Sequence, residues 1–166
     1  MSKDEKIQLQ EKYYRNTLTH ILTDLFRNYY ITIQQMPTDC KVDMRLSAAS
    51  TENNIECSYD IEIKERNFPE QYYKYSELKV DKYYNMLEEH KNKRLIYIVI
   101  LNKHMMYLYD LDAIEMSELD TKEWEIKDVE YDDENTSTSI VKTFMIPTYL
   151  AQLKLDVSKY FSDANN

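Results

Sequence analysis

The chain of 166 residues contains no glycine, where average usage of about 7% would supply around a dozen. That absence removes the glycine-rich loops that cradle phosphates, both the dinucleotide fingerprint and the P-loop. It also removes the glycine-flanked serine elbow of hydrolases. No nucleotide cofactor is expected, and any phosphate chemistry must rest on side chains and metal. Cysteine is nearly missing too. Cys40 and Cys57 are too few to staple a secreted fold, so both read as reduced thiols in a cytosolic setting. His20, His90 and His104 are scattered and lack zinc spacing. No apolar run approaches the roughly 18 residues of a membrane span, and the polar start MSKDEKIQLQ is no signal peptide. A soluble, cytoplasmic protein without membrane contact is the expectation. Basic residues are outnumbered, 21 Lys and Arg against 30 Asp and Glu, for a net charge of −9. A general polyanion binder would usually be basic, so binding nucleic acid would need metal and a local basic patch to offset the field.

What is present suffices for one domain with a proper core, since 43% of the residues are hydrophobic. The most ordered pattern is IECSYDIEIKERN, Ile55 to Asn67. Ile55, Cys57, Tyr59, Ile61 and Ile63 alternate with Glu56, Ser58, Asp60, Glu62 and Lys64, the period of a half-buried strand. Asp60, Glu62 and Lys64 then line the opposite face, spaced roughly 6.5–7 Å apart. Like charges so close are costly unless a cation, a metal or solvent neutralises them.

Lys41 to Ala48 alternates as well, with Val42, Met44, Leu46 and Ala48 against Lys41, Asp43, Arg45 and Ser47. The polar segment between, Ala49 to Asn54, suits a turn. Both apolar faces are buried only if both polar faces coincide. A turn centred on Glu52-Asn53 sets Asp43 opposite Glu62, whereas one on Asn53-Asn54 sets Asp43 opposite Lys64. Either register gathers Asp43, Glu62 and Lys64.

Upstream, about Asp4 to Asn28 reads as a helix with a stripe of Ile7, Tyr14, Leu18, Ile21, Leu22 and Leu25. Glu11 falls on that stripe, either as a carboxylate seeking a partner or as a residue favoured near a helix start. Tyr29 to Met36 reads as a first strand. Downstream, Pro69 precedes a second helix expected over Glu70 to about Lys91. Arg94 to Leu101 is a near-continuous apolar run, the mark of a central strand covered on both faces. Asn102-Lys103 connects it to a strand over His104 to Asp110. Beyond lie a short helix over Asp112 to Leu119, strands over Trp124 to Tyr131 and Ile140 to Ile146, and a final helix from Pro147 through Lys159. The acidic tract between the two strands reads as a solvated loop. The sixteen tyrosines could stack on unpaired bases, although such residues more often fill element faces with one wet end.

The spacing acid-x-Lys recurs along the chain and means little alone. Only Glu62-Ile63-Lys64 combines a clear strand with an acid delivered by a hairpin; Glu125-Ile126-Lys127 is the nearest rival but lacks a preceding acid-bearing strand. Helix, strand, Asp-bearing strand, Glu-x-Lys strand, helix, buried strand: this order resembles the PD-(D/E)XK nuclease superfamily, in a small stand-alone member of phage or bacterial type. The similarity covers roughly Glu5 to Asp110, with 111–166 as an extension of a single domain spanning 1–166. The proline of the family's name is missing, since Val42 precedes Asp43; Asp39, after Pro37-Thr38, is a poorer substitute because it lies in the turn.

The resemblance implies an α/β fold with a central mixed β-sheet flanked by helices, a restriction-endonuclease-like core. It implies a Mg2+- or Mn2+-dependent deoxyribonuclease, with Asp43 and Glu62 holding the metal and the Ile63 carbonyl as a further oxygen ligand. Lys64 would assist the attacking water, and Glu11 would match the carboxylate contributed by the first helix. Lys79, Lys82 and Arg66 would contact the backbone of DNA, the expected partner, with a second copy of the chain as a further candidate. The plainer alternative is an ion pair on a solvated hairpin face, or a catalytically silent interaction subunit or acidic nucleic-acid mimic on the same fold.

Overall fold

The apolar run RLIYIVIL becomes the middle of the molecule because neither of its faces tolerates water. In the computed structural model, which describes residues 3–37, 40–50, 56–89, 93–128 and 137–162, it forms β5 (Arg94–Leu101), buried from Leu95 onward. The first helix, α1 (Lys3–Leu25), is followed by β1 (Tyr29–Gln35), β2 (Met44–Ser50) and β3 (Glu56–Arg66). After β3 come β4 (Tyr75–Lys79) and α2 (Val80–Glu89), then β5 and β6 (Met105–Asp110). β7 (Thr121–Asp128), β8 (Ser137–Pro147), β9 (Leu153–Asp156) and α3 (Ser158–Ser162) complete the described elements.

A six-stranded sheet runs in the order β1-β2-β3-β5-β6-β9. β3 and β5 are parallel and the other pairs antiparallel, so the sheet is mixed. Its two faces carry separate cores. Odd positions of β3 and even positions of β5, among them Ile61, Ile96, Ile98 and Ile100, pack against Leu18, Ile21 and Leu22 of α1 and Phe161 of α3. The opposite face, with Leu95, Tyr97, Val99 and Leu101, packs against Met86 of α2 and against Leu78, Phe144 and Ile146 of a second sheet, ordered β4-β8-β7. The fold is therefore α/β, a central mixed sheet with helices on both sides and a small antiparallel sheet sharing one of those sides. No helix among the described residues is long and apolar enough to cross a membrane.

Three expectations fail here. The helix expected over Glu70 to Lys91 starts only at Val80, because Tyr75–Lys79 pairs with β8 and buries Ser76 and Leu78 by strand alternation. Lys79 accordingly ends a strand, and Lys82 alone of the two lies on α2. The helix expected from Pro147 is replaced by a turn, β9 on the sheet edge, and the short α3. Leu153 and Leu155 turn inward while Lys154 and Asp156 turn out, which is a strand's period. The helix expected over Asp112 to Leu119 is two 3-10 turns. The acidic tract Glu130–Glu134, the hairpin turn residues 51–55 and Asp39 lie outside the described residues.

Lacking glycine, the chain makes the β5–β6 hairpin with Asn102 and Lys103 both in the left-handed region, at φ 54° and 56°. Two consecutive residues of that kind match the twist of the flanking strands. Asn102 is also fastened by its side chain, which donates to the Phe68 carbonyl at 2.7 Å and accepts from the Phe68 amide at 3.0 Å.

Candidate active site

Strand pairing decides which polar residues meet. Met44 pairs with Ile61 and Arg45 with Asp60, the register that a turn centred on Glu52-Asn53 implies. Carried one step further it sets Asp43 beside Glu62, and the Asp43 amide donates to the Ile61 carbonyl at 3.0 Å. Asp43 itself stands just before β2, where the chain bends. Its Oδ2 accepts the Ile63 amide at 2.9 Å, and its Oδ1 accepts Arg15 Nη2 at 2.8 Å. Arg15 thus reaches from α1 to the hairpin, and it also donates to the Met36 carbonyl.

The polar face of β3 is buried in its middle, at Asp60 and largely at Glu62, and exposed at Glu56 and Lys64. Asp60 is fully buried, with Oδ1 held by Arg45 Nε at 3.0 Å and Lys93 Nζ at 3.4 Å and Oδ2 without a hydrogen-bond partner among the described residues. Glu62 is 13% exposed in its side chain. Lys82 Nζ lies 2.9 Å from Glu62 Oε2, an ion pair reaching across from α2. Burial, and then the neighbouring Asp43 carboxylate, push the Glu62 carboxyl up to about 8, against the opposing pull of Lys82. The two carboxyl groups are thus near enough for each charge to be felt by the other.

Lys64 shares the face of Glu62, two residues on. Its pKa lies below the usual lysine range, first through partial desolvation, then through Arg66 and Lys79, while Glu62 and Asp43 work in the other direction. The same five groups therefore share one electrostatic neighbourhood. A cavity of about 330 Å³ opens beside them, between α1 and the end of β3. Asp43, Ile63 and Lys64 line it together with Arg15, Tyr14 and Arg66. On its α1 side, Glu65 accepts hydrogen bonds from the Tyr14 hydroxyl and from Gln10 Nε2.

Asp43, Glu62, Ile63 and Lys64 are thus gathered at one place. Arg66 lies at the cavity's edge and Lys79 within electrostatic range of Lys64. Lys82 faces Glu62 instead of open solvent. Glu11 lies on α1, but its side chain is outside the described residues. Among the described residues no group of three or more His, Cys, Asp or Glu side chains is arranged to hold a metal. The donor set is instead two neighbouring carboxylates, Asp43 and Glu62, and oxygen donors of that kind fit a hard divalent cation completed by backbone carbonyl and water. Arg15 and Lys82 were not singled out for this role in the sequence. Arg15 sits directly after the buried Tyr14, and the only local signal was a cation flanking the apolar stripe.

No protein-family model matches the chain, and no curated protein matches it either. Among solved structures it is similar to that of Hjc from Archaeoglobus fulgidus, a Holliday junction resolvase from an archaeal hyperthermophile. Identity is 12% and the TM-score 0.41, over 86% of this chain and 99% of that one. A likeness of that size carries no weight for the site, which stands on its own geometry.

Proposed function

We propose that the protein is a metal-dependent nuclease that hydrolyses phosphodiester bonds of DNA, acting in the cytoplasm of a bacterial or phage-infected cell. One observation carries the reading: Asp43 and Glu62 are neighbours beside Lys64, whose pKa is lowered, at the edge of a cavity. Two neighbouring carboxylates repel unless a proton or cation offsets their charge. Asp43 and Glu62, with the Ile63 carbonyl, would hold Mg2+ or Mn2+. When bound, such an ion lowers the pKa of its water and neutralises charge on a phosphate. Arg15 and the Ile63 amide fix the orientation of Asp43. Lys64, more easily deprotonated than an ordinary lysine, is suited to hold the attacking water and accept its proton, or to meet charge building on the phosphate oxygens. Arg66 and Lys79 supply positive charge for the phosphates on either side.

A second reading has its own support. Arg15 on Asp43 and Lys82 on Glu62 bring two cations of the chain to the two carboxylates, which is what a silent member of the fold, kept as an interaction subunit, would need. Calorimetric titration with Mn2+ separates the two. The nuclease reading expects one site in the wild-type protein, lost in Asp43→Ala, and Mg2+-stimulated cleavage of DNA that disappears in Glu62→Gln and Lys64→Ala. Binding that appears only in Lys82→Ala, with no cleavage by the wild type, would establish the silent reading.

A further inference from the structure

A second cavity, of about 340 Å³, lies on the far side of Arg66 from the carboxylate pair, and Arg66 lines both. It is built where the end of β3, the turn before β4 and the outer face of the small sheet meet. Its walls are aromatic: Phe68, Tyr72, Tyr75 and Trp124. Aromatic side chains normally go inside, yet Tyr72 is 66% exposed, Phe68 47% and Tyr75 45%. Arg66, Lys74 and Lys122 stand between the rings, against the single acid Glu77. A local excess of positive charge in a chain of net charge −9 is a departure from its surroundings.

Strand alternation explains the arrangement. Ser76 and Leu78 of β4 and Phe144 and Ile146 of β8 point into the core, so Tyr75 and Glu77, with Met145 beside them, face outward. Lys122 and Trp124 of β7 join that outer face through their pairing with Thr143 and Val141. Trp124 Nε1 donates to Thr143 Oγ1 at 3.1 Å, which fixes the ring, and Lys122 Nζ rests 3.8 Å from the ring centre. A cation set beside an aromatic ring is the pairing from which nucleic-acid grooves are built.

We propose that this groove binds an unpaired DNA strand, with bases stacked on Tyr72, Phe68 and Trp124 and phosphates met by Arg66, Lys74 and Lys122. Interleaved rings and cations are what single strands require, since every base offers a face to stack and every linkage a charge. A continuous duplex hides its bases and cannot use the rings. Because Arg66 borders both cavities, a strand lying in the groove leads directly to Asp43, Glu62 and Lys64. That last step, which makes the unpaired strand the substrate, rests on the nuclease reading; binding does not.

Trp124 is the only tryptophan of the chain, so its fluorescence reports on this groove alone. Titration in EDTA, where no metal chemistry proceeds, with a twenty-nucleotide oligo-dT should quench that emission saturably, and a duplex of equal length should bind at least tenfold more weakly. Tyr72→Ala should weaken oligo-dT binding about 5- to 100-fold. Lys122→Glu should weaken it and flatten its salt dependence. Tyr30→Ala, which removes an equally exposed ring from β1, should leave it unchanged. The proposal is overturned by unquenched emission, by a duplex that binds as tightly, by binding of oligo-rU alone, or by full affinity in Tyr72→Ala. Quenching without cleavage under any metal would retain the groove and remove the nuclease reading; cleavage without quenching would do the reverse.

Discussion

Glu62 bears two opposed demands, a buried position and a carboxylate for a neighbour. Its raised pKa means that near neutrality the metal-free site holds a proton where the proposed cation would go. Metal binding at pH 7 should therefore release up to one proton, falling towards none above about pH 9. Titrations in two buffers of different ionisation enthalpy measure this directly, and identical heats in both would contradict it. The sign for stability follows from the same shift. A carboxyl raised from 4.5 to about 8 favours the folded state fully below pH 4.5, and that contribution fades as pH climbs through 8. Without metal, the free energy of unfolding, measured by denaturant titration, should fall over this window by on the order of a few kcal/mol in total, and Glu62→Gln should flatten the decline. Asp43, Glu62 and Lys64 were legible in sequence because strand alternation and hairpin register are local rules. The pairing of Arg15 with Asp43, and of Lys82 with Glu62 where a DNA contact was expected, was not, since each cation comes from a helix whose rotation is set only when it packs on the sheet.

At the scale of elements, the strands were read well where one face is apolar and poorly where local preference and tertiary pairing compete. β5 lies where the sequence places it, because seven consecutive apolar residues leave few alternatives, while the connection to β6 takes in His104 as well as Asn102-Lys103. Tyr75–Lys79 reads equally as the first turns of a helix, and only β8, nearly seventy residues later, makes it a strand. β9 escaped for the same reason, since four residues acquire strand character only beside β6. The β5–β6 turn supports a prediction of its own. Lys103 holds φ near 56° against the preference of any residue with a Cβ. Lys103→Gly should raise stability by roughly 0.5–1 kcal/mol, measured by urea denaturation, since relief of strain outweighs the added freedom of the unfolded chain.

Across the whole molecule, β5 is the plank that both cores share, one on each face. Ile98 is fully buried on the α1 side and Trp124 lies in the small sheet beyond the other side. Ile98→Ala should cost about 2–5 kcal/mol. Far-UV circular dichroism and Trp124 emission should then shift to the same lower denaturant midpoint; separate midpoints would mean that the layers unfold independently. The sheets also end differently at their margins. β7 carries lysines and glutamates along its length, and β9 has only four residues, one of them Lys154. β1, seven residues long, has no formal charge anywhere and leaves Tyr29 and Tyr30 open to water. Its outer edge is the least guarded rim among the described strands, so crowding meets its weakest resistance there, and sticking between copies would begin along it.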